Sequence, residues 1–109
     1  MAADIWARLA GATGFQWDEG NATKNWVRHE VGQGECEQLF FGSPFLVAPD
    51  LTHSETEPRF YALGQTAAGR RLFLVFTLRD TLIRIISARD MSRRERKVYA
   101  DAEASEAES

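Results

Sequence analysis

The sequence predicts an α+β fold in which helices precede and follow a mostly antiparallel sheet of about four to five strands. Apolar residues recur at helical spacing near the N-terminus, whereas from Phe45 to Ala88 they alternate or run together as they do in strands. Ser92 and Glu95 then form a capping-box pattern that opens a last helix. With 109 residues the chain has the size of one domain, which we place at 1–99.

Short elements are expected ahead of the main sheet. They are, in chain order, a helix at 4–11, a strand at 15–17, a helix from 18 to 32 and a helix at 35–41. Asp18 is a suitable N-cap for the second of these helices. The third helix would bury Cys36, Leu39 and Phe40, with Gly42 as its C-cap.

Four strand candidates follow, at 45–48, 59–63, 71–77 and 82–88. The third is almost wholly apolar between its ends, which predicts a central strand covered on both faces. A loop of four residues separates it from the fourth, so the two should form an antiparallel hairpin. This pairing places Thr77 opposite Leu82 and Arg71 opposite Ala88.

The last helix is expected to pack Val98, Tyr99 and Ala102 inward. Beyond Tyr99, residues 100–109 consist only of alanine, serine and acidic residues. Because this acidic tail has no large apolar side chain to bury, we expect it to be disordered.

The formal net charge of -3 conceals a segregation of charge along the chain. Residues 1–58 hold three basic and nine acidic residues, whereas residues 59–97 hold ten basic and three acidic ones. The remaining twelve residues add four acids. The basic segment therefore indicates an anionic partner, which the total alone would argue against.

Several classes of protein are disfavoured by what the sequence lacks. Cys36 is the single cysteine, so no internal disulfide can form, and no metal-ligand or phosphate-loop motif is present. The longest apolar run, 72–76, is far too short to span a bilayer, and no signal peptide is recognisable. We therefore expect a cytoplasmic protein with no cofactor, no metal and no membrane contact. Among reactions open to such an enzyme, RNA cleavage is the main one, because the 2'-hydroxyl is its own nucleophile.

Five arginines are expected to meet at one edge of the sheet. The predicted hairpin brings Arg70 and Arg71 beside Arg89, and Arg93 and Arg94 follow in the first turn of the last helix. Cations are disfavoured at that position unless an anion is bound, and guanidinium groups pair phosphate oxygens bidentately. An RNA or polyphosphate site and a plain solvated basic face are equally good explanations of this cluster.

A second group of arginines is expected at the other end of the hairpin. Arg59 should lie beside Arg79 there, with Arg84 between the two groups. Seven to eight residues of strand separate Arg79 from Arg89, or roughly 25 Å, so these two cannot hold the same phosphate.

Candidates for proton transfer each have a structural explanation as well. Imidazole can take and give a proton near neutral pH, but His29 shares a helical face with Trp26 and is more simply a packed residue. Glu95 could act as a general base, although the capping box already explains it. Tyr99 is better explained as a core residue than as a stacking platform, and His53 as a surface residue.

The closing blocks Ile85-Ile86-Ser87-Ala88-Arg89 and Arg93-Arg94-Glu95-Arg96 with Tyr99 resemble those of the BrnT toxins. Earlier parts of the chain match in order from residue 15 onwards, among them Phe15-Gln16-Trp17-Asp18-Glu19, Arg28-His29, Arg59-Phe60 and Gly69-Arg70-Arg71-Leu72. The resemblance covers 15–99. It implies a RelE-like ribonuclease fold, inhibition of translation by RNA cleavage, and neutralisation by a BrnA-like antitoxin. That antitoxin would carry a ribbon-helix-helix DNA-binding domain, so DNA would be contacted only indirectly.

The resemblance also implies site residues. The family's Lys-His-Gly motif appears here as Arg28-His29-Glu30, which keeps the histidine and loses the glycine, and Gln33-Gly34 replaces the usual aromatic and acidic start of the next helix. Similarity to the RelE-like fold points to Arg71, Arg89 and Arg94.

The complete predicted site has catalytic and RNA-binding members. The catalytic residues are His29, Arg71, Arg89 and Glu95, and the RNA-binding residues are Arg70, Arg93, Arg94 and Tyr99. The alternative is a non-catalytic basic module that acts within an antitoxin and DNA repressor complex.

Overall fold

The computed structural model describes residues 5–20, 29–52 and 57–107. Its elements are α1 Ile5–Ala10, β1 Gly14–Gln16, α2 Gln33–Leu39, β2 Leu46–Pro49, β3 Arg59–Gln65, β4 Arg71–Arg79, β5 Leu82–Asp90 and α3 Arg93–Ala107. This arrangement confirms the predicted α+β fold. The helix expected at 18–32 falls mostly outside the described residues, as do Trp26 and His53. None of the described helices is long and apolar enough to cross a membrane.

One five-stranded sheet organises the chain, with strand order β1-β5-β4-β3-β2. The three pairs among β2, β3, β4 and β5 are antiparallel, and only the short β1 pairs in parallel with β5. The mostly antiparallel sheet is therefore confirmed, and β4 is its central strand.

The two faces of the sheet differ in how they are covered. The inner face carries Leu72, Leu74 and Phe76 of β4, which are fully buried in the core formed with α1 and α2. The outer face carries Phe73 and Val75, which are only half-buried because α3 covers one end of this face. The expectation that β4 is covered on both faces is thus wrong along most of the strand, since apolar composition does not show how far a helix extends.

Helix α2 packs against the inner face at a point where the sheet has no side chain. A Cβ atom on Gly64 would lie 2.9 Å from the Leu39 Cγ, so the helix can approach β3 this closely only because residue 64 is glycine. The helix also begins two residues before the predicted start, because the Glu35 carboxylate accepts a hydrogen bond from the Gly32 N–H at 3.1 Å. It ends at Phe40 as its C-cap rather than at Gly42.

The hairpin between β4 and β5 is tighter than expected. Residues 80 and 81 form the turn, with Asp80 at φ +55°, and Thr77 pairs with Arg84 rather than with Leu82. The strand continues past Thr77 because Leu78 is buried on the inner face beside Ile83. Correcting the register by two residues changes which arginines are neighbours.

Residues 100–107 of the acidic tail are helical, which corrects the expectation of disorder for the described part of the tail. Alanine and glutamate are strong helix formers, and α3 continues to Ala107. Glu103 forms an ion pair with Arg71, and Glu106 accepts a hydrogen bond from the Ser43 hydroxyl. Val98, expected to face inward, has 49% of its surface exposed.

Candidate nucleic-acid interface

Strand β5 leads directly into α3, and we call residues 89–95 the junction. The Glu95 N–H donates to Ser92 Oγ at 3.2 Å, and the Ser92 N–H donates to Glu95 Oε1 at 2.8 Å. The predicted capping box is thus confirmed. It fixes the direction in which the first turn of α3 leaves the sheet.

Arg89 lies on the outer-face side of the junction. Its Nη1 and Nη2 donate to Glu95 Oε1 and Oε2 at 2.7 and 2.9 Å, and its guanidinium lies 4.1 Å from the centroid of the Phe73 ring. The hydrogen bonds from Arg89 are the main reason why the pKa of Glu95 lies below its ordinary value. A carboxylate held in this way is a weak base, so the geometry favours Glu95 as a residue that positions Arg89.

Arg70 directly precedes Arg71 in the sequence, but its side chain lies on the side of the junction opposite to that of Arg89. Its Nε and Nη2 donate to the Asp90 carboxylate at 2.8 and 3.1 Å, and its Nη1 donates to Glu35 Oε1 at 3.1 Å. The same guanidinium donates to the main-chain oxygens of Glu30 at 2.9 Å and His29 at 3.1 Å. Arg70, directly before β4, therefore joins β5 and α2 to the chain before α2, and all the N–H groups of its guanidinium already have acceptors.

Arg71 is covered by α3, and Tyr99 lies on the face of that helix that packs on the sheet. The Arg71 guanidinium pairs with Glu103 and lies 5.4 Å from the centroid of the Tyr99 ring. Tyr99 is fully buried, and its hydroxyl donates to the Pro44 main-chain oxygen at 2.7 Å. Tyr99 thus has no ring face for a base, which corrects its predicted RNA-binding role. The five arginines expected in one cluster instead occupy four different environments, since Arg93 and Arg94 differ from the other three.

Arg93 and Arg94 have exposed side chains in the first turn of α3. Within the described residues neither forms an ion pair. They are therefore the cations at the junction that are most accessible to a ligand.

His29 is exposed, and it lies close enough to Asp90 for its charge to contribute, after Arg70, to lowering the pKa of that carboxyl. This places His29 near the junction on the same side as Arg70. The packing of its ring on Trp26 falls outside the described residues.

The second arginine group lies at the hairpin end of the outer face. Arg59, Thr77 and Arg84 are side by side on β3, β4 and β5, so Arg84 belongs to this group rather than between the two groups. Arg84 pairs with Asp18 at 2.9 Å. Thr77 lies four residues along β4, or roughly 13 Å, from Phe73, which pairs with Arg89 of the junction.

Arg79, at the same end, pairs with both oxygens of Glu57 at 3.2 Å. Glu57 and Asp18 come from segments distant in sequence, and nothing in their spacing identified them as partners of these arginines. Both ends of the outer face thus hold arginines matched by acids.

A groove of about 240 Å³ lies on the outer face between β2, β3 and α3. Its lining includes Tyr61, Leu63, Phe73, Glu95 and Val98. The sequence did not predict this groove, because its walls come from separate elements. Tyr61 on β3 and Phe73 on β4 nevertheless both belong to the set of every second residue that faces the outer side.

The described residues contain no group of three His, Cys, Asp or Glu side chains placed to hold a metal ion. Cys36 is buried, and burial is the main cause that raises the pKa of its thiol to about 12. The thiol is therefore not activated as a nucleophile.

Two comparisons relate this chain to known proteins. The family model for "Ribonuclease toxin, BrnT, of type II toxin-antitoxin system" matches residues 17–95. The 1.1 Å crystal structure of the Brucella abortus ribonuclease toxin BrnT is similar in fold, with a TM-score of 0.59 and 19% sequence identity over 75% of this chain and 100% of that one. No curated protein matches the sequence significantly.

Proposed function

The chain belongs to the BrnT family of ribonuclease toxins of type II toxin-antitoxin systems, and from this we propose that it is a metal-independent endoribonuclease whose RNA cleavage inhibits translation. We further propose that a BrnA-like antitoxin with a ribbon-helix-helix DNA-binding domain neutralises it. The cytoplasm, where translation takes place, is the proposed site of action.

The exposed pair Arg93 and Arg94 is the observation that carries this proposal. The N-terminal turn of a helix disfavours cations and attracts anions, so two accessible guanidinium groups there are best explained by a bound phosphate. Arg89 lies at the same junction and adds a third guanidinium close to the outer face. This combination fits the phosphate backbone of RNA.

In the proposed reaction the RNA 2'-oxygen attacks the adjacent phosphorus while the bond from phosphorus to the 5'-oxygen breaks. A base accepts the 2'-hydroxyl proton, and an acid donates a proton to the departing 5'-oxygen. Arg89, Arg93 and Arg94 would stabilise the charge that develops on the phosphate. His29 is the proposed proton-transfer residue, and Glu95 would orient Arg89. Arg71 would contribute only after releasing Glu103.

The double substitution of Arg93 and Arg94 to alanine tests the phosphate site. With an uncleavable 2'-O-methyl single strand, we expect weaker binding, and we expect the slope of log affinity against log salt to become shallower by about 1.4, or about 0.7 per lost phosphate contact. Cleavage of the unmodified strand should fall in parallel, while the thermal stability stays unchanged because both side chains are exposed.

Lys97→Ala is a matched control, since Lys97 is an exposed cation on the same helix that pairs with Asp101 at 3.6 Å. It should change RNA binding little. Undiminished binding and cleavage by the double variant would contradict the site. RNA binding without cleavage by the wild-type chain, with a chelator present or absent, would favour the non-catalytic module instead.

An antitoxin that neutralises the chain must cover the junction or displace part of it. We expect the antitoxin and the uncleavable RNA strand to compete for binding. Simultaneous binding of both at full affinity would contradict neutralisation by covering this surface.

A further inference from the structure

The groove on the outer face has an aromatic floor that is already held in place. The rings of Tyr61 and Phe73 are neighbours, with centroids 5.5 Å apart and an interplanar angle of 35°. The Tyr61 hydroxyl is hydrogen-bonded to the buried carboxylate of Asp50, and Phe73 lies beneath the Arg89 guanidinium. A ligand would therefore meet a floor that needs little ordering.

Apart from the Glu95 carboxylate, which is paired with Arg89, the walls of this groove are apolar, and they are partly open. Leu46 and Leu63 line the sheet side, and Val98 lines the helix side with 49% of its surface exposed. A half-exposed valine above an aromatic floor leaves apolar area that a flat ligand could cover.

Cationic groups flank one end of the groove. Arg89 lies over Phe73, and Arg94 precedes Val98 by four residues, which puts the two side chains on the same face of α3. A flat apolar slot next to guanidinium groups is the arrangement by which proteins bind single-stranded nucleic acid, with the base stacked and the phosphate paired.

We propose that this groove binds an unstacked nucleobase of single-stranded RNA, with the base on the Tyr61 ring, beside the Phe73 ring that Arg89 covers, and its phosphate toward Arg89 and Arg94. The proposal rests on the proposed ribonuclease function and adds a base-binding subsite to it. The flanking arginines favour a nucleotide over an apolar protein segment, since such a segment would gain nothing from them.

The experiment compares two uncleavable 2'-O-methyl strands of equal length, one complete and one with a single abasic position. Stacking of one base predicts that the wild-type chain binds the complete strand about tenfold more tightly, which is about 1.4 kcal/mol. Tyr61→Leu removes the ring, and Val98→Trp fills the groove from a half-exposed position. Both should bring this ratio close to one.

Two variants serve as controls. Tyr61→Phe keeps the ring and should keep the ratio, and Phe41→Ala removes an aromatic that is 83% exposed and lines a different groove, on the inner side. Circular dichroism and thermal melts verify that each variant is folded.

The outcomes separate the two proposals. If the wild-type chain binds both strands equally well, the base subsite is wrong while RNA binding stands. If it binds neither strand, the proposed function fails as well. If Val98→Trp weakens only binding of the antitoxin and leaves the strand ratio at tenfold, the groove belongs to a protein partner and the subsite is wrong.

Discussion

Arg70 and the pair Arg93 and Arg94 lie near the same end of the sheet, but they stand in opposite electrostatic situations. Arg70 is 28% exposed and donates to two carboxylates and two main-chain oxygens. Arg93 and Arg94 are exposed and have no ion pair within the described residues. The role of each arginine at this end of the sheet therefore depends on whether the fold places acidic side chains around it.

The largest effect is expected from Arg70→Ala. The substitution leaves the carboxylates of Asp90 and Glu35 without their main partner, so the free energy of unfolding should fall by about 2 kcal/mol. Denaturant melts measure this. Arg93→Ala is the matched control and should stay within about 0.5 kcal/mol of wild type. Equal losses of unfolding free energy in Arg70→Ala and Arg93→Ala would contradict the structural role assigned to Arg70.

Glu95→Gln tests the residue that links the fold to the phosphate site. Because Arg89 lowers the pKa of Glu95, the ionised carboxyl stabilises the fold above its unfolded-state pKa. That stability is lost as the pH falls through the lowered pKa. Thermal melts should therefore show the wild-type chain more stable than the variant at neutral pH, with the difference vanishing in acid.

The kinetics of Glu95→Gln separate positioning from catalysis. A positioning role predicts reduced cleavage together with RNA binding at least as tight as that of wild type, because a negative charge beside Arg89 has been removed. Complete loss of cleavage with unchanged stability at every pH would instead identify Glu95 as the general base.

The smallest effect is expected from Glu103→Gln, which releases Arg71 from the acidic end of α3. An ion pair with one-third of its surface exposed contributes little, so RNA affinity should rise by no more than about threefold and stability should change by less than about 1 kcal/mol. Glu106→Gln is the control, since Glu106 contacts Ser43 instead. A larger rise for Glu106→Gln than for Glu103→Gln would contradict local masking of Arg71.

Sequence periodicity predicted the fold class and the strands, because burial on a sheet imposes alternation. Arg70 directly precedes β4, so alternation along the strand does not predict where its side chain lies. The register of the hairpin was missed because it depends on the burial of Leu78, which composition alone does not reveal.

Other parts of the candidate site depend on contacts between distant segments. Glu35 and Glu103 reach their arginines only after α2 and α3 have packed on opposite faces of the sheet. Residues 100–107 are helical because the helix propensity of their alanines and glutamates outweighs their lack of large apolar side chains.

The two edge strands of the sheet restrict how a protein partner can bind. Its outermost strands, β1 and β2, have three and four residues, and β2 ends in Pro49, which has no N–H to donate. Edge strands this short offer few main-chain N–H and C=O groups with which a strand of a partner could pair. We therefore expect the antitoxin to attach through side chains on a face or a helix of this chain rather than by adding a strand.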